Sequence, residues 1–419
     1  MFNLTTLLLQ IAVILLASRL VGRVFRYFHQ PQVMGEMMAG IFLGPSLLGW
    51  LAPVVFKAIF PPDSFDFINA LSQVGLVLFM FLTGLELNPG ILRKYGYRMV
   101  AISNASILVP FTLGVILAIF LDPLLAKPGV SLLAFALFCG AAMSITAFPV
   151  LARILSDQHL LNTRLGTIAI SCAAVDDVSG WCILAGLLII VNAAGSTIPL
   201  GLALALTLVY LLAMLFVVRR LARRLEGDFI RQNSISQDRL AMILLFLLVS
   251  SLVTQWLGIH PLFGAFLAGA VLPKHAGFTR ALHAKLYDPV VVLLLPMFFV
   301  YTGLRTSIGL LNQGWMWLAC AVIILVAIAG KFGGSAIAAH LAGTSWREAV
   351  TLGVLMNTRG LMELVLLNIG LEIGVISQTV FTMLVIMAIV TTLMTAPILE
   401  RVYFAGEPEQ AEEVVNITS

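Results

Sequence analysis

Two adjacent aspartates, Asp176 and Asp177, stand in AAVDDVSGW at 173–181, inside an apolar run long enough to cross a bilayer. Each would cost roughly 2.5 to 3.5 kcal/mol if it faced lipid alone, so partners or a water-filled cavity must exist. Two carboxylates this close repel one another, and a site that exchanges protons needs such competition for charge. Neighbouring helical residues diverge by about 100 degrees, so the two cannot face one point. One can meet a buried cation while the other faces a hydrated cavity. The other ionisable residues at membrane depth are Glu36, Lys331, Arg359 and Glu363. Lys331 and Arg359 are the cations available to the aspartates. Arg359 and Glu363 also have the i, i+4 spacing of an intrahelical pair. Glu36, near a helix start, reads as a structural acid neutralised by the helix N-terminus. Ser144 and Thr146 are candidate oxygen ligands, or else helix–helix hydrogen-bonding groups.

The elements that position these residues follow from composition. Of 419 residues 60% are hydrophobic and 11% charged, and the mean hydropathy is +1.05, the profile of a chain that lives in a lipid bilayer. Each apolar stretch must satisfy its own backbone, so an all-α polytopic membrane protein is expected. Thirteen stretches stand out: 3–22, 31–50, 67–87, 97–120, 130–152, 163–191, 198–218, 236–257, 259–273, 286–304, 314–341, 346–371 and 375–399. The second and ninth are short and glycine-rich. The first lacks the basic start and cleavage site of a signal peptide.

Basic residues set the expected orientation. Of the 24 Lys and Arg, nineteen lie in or beside the breaks after odd-numbered stretches, including RRLARR at 219–224, while Lys57, Lys127 and Arg305 lie on the other side. The positive-inside rule then puts the N-terminus outside and the C-terminus in the cytoplasm. The net charge of +4 reports this topology and not nucleic-acid binding, and RRLARR reads as a cytoplasmic anchor. Cys139, Cys172, Cys182 and Cys320 lack metal-ligand spacing. Residues 401–419 read as a short acidic cytoplasmic tail. With no loop long enough for an active site and no nucleotide or metal motif, neither an enzyme nor a cofactor is expected.

The two halves resemble each other. AGIFLGP at 39–45 answers AGAVLP at 268–273, and LFMFLTGLEL at 78–87 answers MFFVYTGLRT at 297–306. Gly140, Met143 and Ser144 answer Gly353, Met356 and Asn357. Each match is seven stretches apart, and an odd offset makes paired helices cross in opposite senses, which is the inverted repeat of secondary transporters. Repeat one spans about 1–191, a linker helix about 198–218, and repeat two about 236–400. The site is expected where discontinuous helices occupy corresponding places. MSITAFP at 143–149, with Pro149, and MNTRGLME at 356–363, with Gly360, are those interruptions.

AAVDDVSGW, PQVMGEMMAGIFLGPSLLG, GLVLFMFLTGLEL, SITAFPVLARIL and NTRGLMELVLLNIG together resemble the monovalent cation:proton antiporter-2 family. The plant cation/proton exchangers and the membrane domains of Kef-type potassium systems are the most similar flavours. The resemblance covers the chain to about residue 400. It implies an inverted-repeat sodium/proton-antiporter fold with two crossed discontinuous helices, a homodimer in a bacterial plasma membrane, and exchange of Na+ or K+ for protons. It implies that Asp177 binds cation and proton in competition, that Asp176 pairs with Lys331, and that Arg359 supports the crossing. The same set implies electrogenic exchange of two protons per cation. Two departures stand out: many plant members have Asn-Asp at the 176–177 pair, and the nucleotide-binding domain of Kef systems has no counterpart in these residues. The rival expectations are a Kef-like gated potassium pathway and a sodium-coupled organic-anion symporter.

Overall fold

The computed structural model describes residues 4–86, 96–161, 163–193, 200–222 and 235–403, and within these every regular element is helical. The expected tail at 404–419 and the arginines at 223 and 224 lie outside the described residues. The first half supplies α1 (Leu4–Tyr27), α2 (Gln32–Leu43), α3 (Phe65–Glu86), α4 (Gly96–Leu125), α5 (Leu132–Ser144), α6 (Phe148–Asp157) and α7 (Arg164–Ala193). Then come α8 (Leu200–Leu212), extended by a π-helical turn at Ala213–Val218, α9 (Gln237–Trp256), α10 (Pro261–Val271) and α11 (Ala276–Pro289). A π-helical turn at Val290–Leu294 joins α11 to α12 (Leu295–Arg305). Another, at Ala329–Gly333, joins α13 (Gly314–Ile328) to α14 (Gly334–Leu341). The chain closes with α15 (Trp346–Met356), α16 (Leu361–Glu372), α17 (Gln378–Leu393) and α18 (Thr395–Tyr403).

All thirteen expected stretches are helical. Eleven form spans long and apolar enough to cross a bilayer, and the bent pair α15 and α16 makes a twelfth. The ninth stretch is α10, whose 11 residues rise about 16 Å, half the hydrocarbon thickness.

Both expected interruptions are real breaks. Ser131 caps α5 by accepting from the Ala134 amide at 3.2 Å. After Ser144 the chain is extended at Ile145 and Ala147 before α6 begins. Pro149 sits in the first turn of α6, where a missing N–H would have had no partner. The proline therefore starts the second half-helix instead of ending the first. In the second repeat a capping box of Ser345 and Glu348 opens α15. The chain unwinds at residues 357–360, and α16 leaves at 43° to α15. Gly360 is required there, since a Cβ would lie 2.7 Å from Val150 Cγ2 of α6.

Packing density divides the chain into two units, and each takes residues from both repeats. One comprises Met1–Leu16, Lys57–Pro89 and Leu184–Tyr301, the other Ala17–Phe56, Gly90–Ile183 and Thr302–Ser419. Within the first unit, α3 of repeat one packs on α10 of repeat two through Gly84 and Gly269, where a Cβ on either would overlap the Phe266 or Phe81 carbonyl. Within the second unit, α12 of repeat two packs on α2 of repeat one in the same way, with Gly303 against the Gly40 carbonyl. Helices from the two halves of the sequence thus pair through similar glycine contacts. The second unit also carries the buried cluster that seats both breaks, including Ala147, Val150, Leu151, Cys172, Ala173, Leu352 and Met356.

Candidate ion-binding site

The two breaks bind each other through backbone. The Ala147 amide donates to Thr358 O at 3.0 Å. From the second repeat Arg359 reaches back, Nη1 donating to Ala142 O at 2.9 Å and Nη2 to Met143 O at 2.8 Å. These carbonyls, with that of Ser144, end α5 and have no partner inside their own helix. Lys331 takes the Ser144 carbonyl. Two cations of repeat two therefore neutralise the C-terminal end of a half-helix of repeat one, which is the negative end of its dipole.

Asp176 lies in this network and is saturated. Its Oδ1 accepts from Ser103 Oγ at 2.8 Å, and its Oδ2 accepts from Ser106 Oγ at 2.9 Å, Thr146 Oγ1 at 2.7 Å and Lys331 Nζ at 2.8 Å. The ammonium of Lys331 has three donors, and all are used: Asp176, Ser106 O at 2.8 Å and Ser144 O. Both side chains of the pair are fully buried. A buried pair is tolerated when its remaining hydrogen-bonding positions are filled, which holds on both sides here.

Asp177 has the opposite surroundings. Neither carboxylate oxygen has a hydrogen bond of normal geometry, and the residue is 1% exposed. The Phe148 amide at the start of α6 and the Lys331 ammonium act on it favourably, and Asp176 acts against it. A desolvated carboxylate with both oxygens open is a strong acceptor for a cation or a proton.

The remaining expected residues sort themselves around this centre. Thr146 joins Asp176 and lies 3.1 Å from Met356 O. The Ser144 hydroxyl donates to Ala141 O at 2.9 Å, so the group it gives the centre is its carbonyl. Arg359 Nη1 and Glu363 Oε1 are 3.3 Å apart and buried. Asn357, in the second break, is buried with its Oδ1 unpartnered. Glu36 lies outside the cluster; Gln32 Nε2 donates to it at 2.9 Å, so a side chain and not the helix terminus answers it.

Three contributors were not singled out from sequence. Ser103 and Ser106 of α4 are three residues apart, hence on one helix face, and that spacing was the available signal. Thr392 of α17 accepts from the Arg359 amide at 2.9 Å. The π-helical turn carrying Lys331 also went unforeseen, although its glycine-rich AGKFG marks it.

Comparison with known proteins gives this geometry its context. The model of a family described as sodium/hydrogen exchanger, transmembrane, matches residues 11–401. The chain belongs to the sodium/hydrogen exchanger family. It is 45% identical over 402 residues to the Na(+)/H(+) antiporter NhaS4 of Synechocystis sp., covering 96% of this chain and 98% of that protein. It is 39% identical to Cation/H(+) antiporter 17 of Arabidopsis thaliana and 33% identical to K(+)/H(+) antiporter 1 of Saccharomyces cerevisiae. In each case it covers 96% of this chain but only about half of the relative, 49% and 46%. Among solved structures it resembles the sodium proton antiporter MjNhaP1 of Methanocaldococcus jannaschii, with a TM-score of 0.70 at 16% identity over 95% of this chain and 99% of that one. That likeness shows the fold, an all-helical multi-pass membrane architecture.

Proposed function

We propose that this exchanger is a secondary active antiporter that trades a monovalent cation, Na+ or K+, for protons by alternating access, with Asp177 as the residue both bind. The observation that carries this reading is the contrast in α7: Asp176 is fully spent on Lys331 and three hydroxyls, while Asp177 beside it has two open oxygens. A carboxylate can hold a proton or a cation on those oxygens, not both, so each expels the other. Thr146, Asn357 and the carbonyls of the unwound 145–147 and 357–360 segments are the candidate further ligands, as broken helices provide in carriers of this design. Arg359, paired with Glu363, holds the two breaks together through the Ala142 and Met143 carbonyls. The carrier crosses with Asp177 loaded by one species or the other, and that rule couples the two fluxes.

The distribution of basic residues supports an N-terminus outside and a C-terminus in the cytoplasm. The family resemblance supports a homodimer in the plasma membrane. The test is dissipation of a pH gradient in proteoliposomes, with Na+, K+ and Li+ titrated at several pH values. Competition at one carboxylate requires the apparent KM for the cation to rise as the pH falls, with the maximal rate little changed. A KM independent of pH, or full exchange by Asp177→Asn, would overturn the assignment. Repeating it with a potassium ionophore reads the charge moved per cycle.

A further inference from the structure

A second binding feature lies in the unit that carries α8 to α11. Val218, Leu221 and Ala222 at the end of the α8 span, Met242, Ile243 and Phe246 of α9, and Leu272 after α10 enclose a groove of about 360 Å³. Every described lining residue is apolar, and the volume is that of a small ligand site.

The rim has a different chemistry. Arg239 stands four and seven residues before Ile243 and Phe246, hence on the same face of α9 as the groove lining. Its Nη1 is buried and has no hydrogen-bond partner. Arg219 directly follows Val218, and its charge acts on Lys274, two residues beyond Leu272. Lys274 Nζ donates to Gly84 O and Leu85 O at 2.9 Å and to Gly269 O at 3.2 Å. Burial, with Arg219 adding to it, lowers the Lys274 pKa to about 7. Glu86 opposes that shift but is engaged by His283 at 3.0 Å. Among the described residues no carboxylate pairs with Arg219 or Arg239. Arg219 and Arg239, with no ion pair among the described residues, stand beside an apolar groove and call for an anion with an apolar body.

We propose that this groove binds one anionic phospholipid, its phosphate held by Arg239 and Arg219 beside Lys274 and an acyl chain laid along Val218, Met242, Ile243 and Phe246. The site is separate from the ion pathway proposed for Asp177, and it makes the stability of the α8–α11 region depend on the charge of the surrounding lipid. A neutral lipid would fill the groove but leave Arg239 Nη1 without a partner, and an unpaired buried charged donor is unfavourable. Free phosphate would meet the cations and leave the groove empty.

The experiment is a thermal-shift titration of the purified full chain in detergent with dioleoyl phosphatidylglycerol, with phosphatidylcholine of the same chains, and with inorganic phosphate. A saturable rise in Tm with phosphatidylglycerol alone is expected. Arg239→Gln should weaken its half-saturating concentration about tenfold, as for loss of a charged hydrogen bond. Met242→Trp alters a residue 55% exposed at the groove, so it should fold normally and abolish the shift by filling the space. An equal shift with phosphatidylcholine overturns the charge recognition. A shift reproduced by phosphate overturns the lipid. Wild-type titrations by both variants overturn the site.

Discussion

Asp176 and Asp177 are neighbours on one helix, yet their surroundings are opposites. Around Asp176, four donors from α4, the first break and the α13–α14 turn converge on two oxygens. Around Asp177, two oxygens equally buried receive none. The helix itself arranges this, because a step of about 100 degrees turns one carboxylate toward the Lys331 pocket and the other away from it. Burial alone therefore does not separate the two aspartates. What distinguishes Asp177, the acid proposed for transport, is burial with hydrogen-bonding capacity left over.

Removing the leftover capacity should have the largest effect. Asp177→Asn keeps the shape and the burial but cannot hold a cation as a carboxylate does, so exchange should fall to the background of empty proteoliposomes. Asp176→Asn should instead change stability and cation affinity before it abolishes exchange; the reverse ranking would break the comparison. Next comes the Lys331 partner. Lys331→Met strands Asp176 as a buried charge, a loss of about 3 to 5 kcal/mol, read as a large fall in Tm in detergent. The double variant Asp176→Asn with Lys331→Met should recover much of that loss, since neither charge is then left alone. If the double falls as far as the sum of the singles, the pair is not an energetic unit.

A comparable effect on stability belongs to Arg359. Arg359→Gln uncovers the Ala142 and Met143 carbonyls and the Glu363 carboxylate, and charged hydrogen bonds of this kind contribute about 1.5 to 3 kcal/mol each. Tm should fall and exchange should slow even though Asp177 is intact. The smallest effects sharpen the account of Asp176. Ser103→Ala and Ser106→Ala each remove one hydrogen bond to the Asp176 carboxylate and should cost about 1.5 to 3 kcal/mol of stability with exchange retained, measured by denaturation and flux on one preparation.

Much of this was legible in the sequence for a physical reason: lipid makes certain residues conspicuous. Charges at Asp176, Asp177, Lys331, Arg359 and Glu363 stand out against apolar neighbours, and matched interruptions seven stretches apart reveal the repeat. The sequence was less informative where the answer depends on which atom of a residue is used. Ser144 was read through its hydroxyl, but the structure uses its carbonyl, and every residue carries one of those. Ser103 and Ser106 look like ordinary helix serines, which can bond to their own backbone. The wide turn at Lys331 lies inside a long apolar stretch whose composition reads as one continuous helix, with only the glycines of AGKFG to mark it. The ninth stretch shows the same limit, since apolar composition does not say that α10 stops after 11 residues.

The glycine contact between α2 and α12 has a consequence for how the chain is made. Gly303 leaves the ribosome about 260 residues after Gly40, on the order of 13 to 50 seconds at typical elongation rates. Throughout that interval α2 is in the bilayer without the helix that fits its glycine face. A nascent chain arrested before residue 303 therefore holds a complete first repeat that cannot finish folding, and it shows membrane quality control a bare glycine groove.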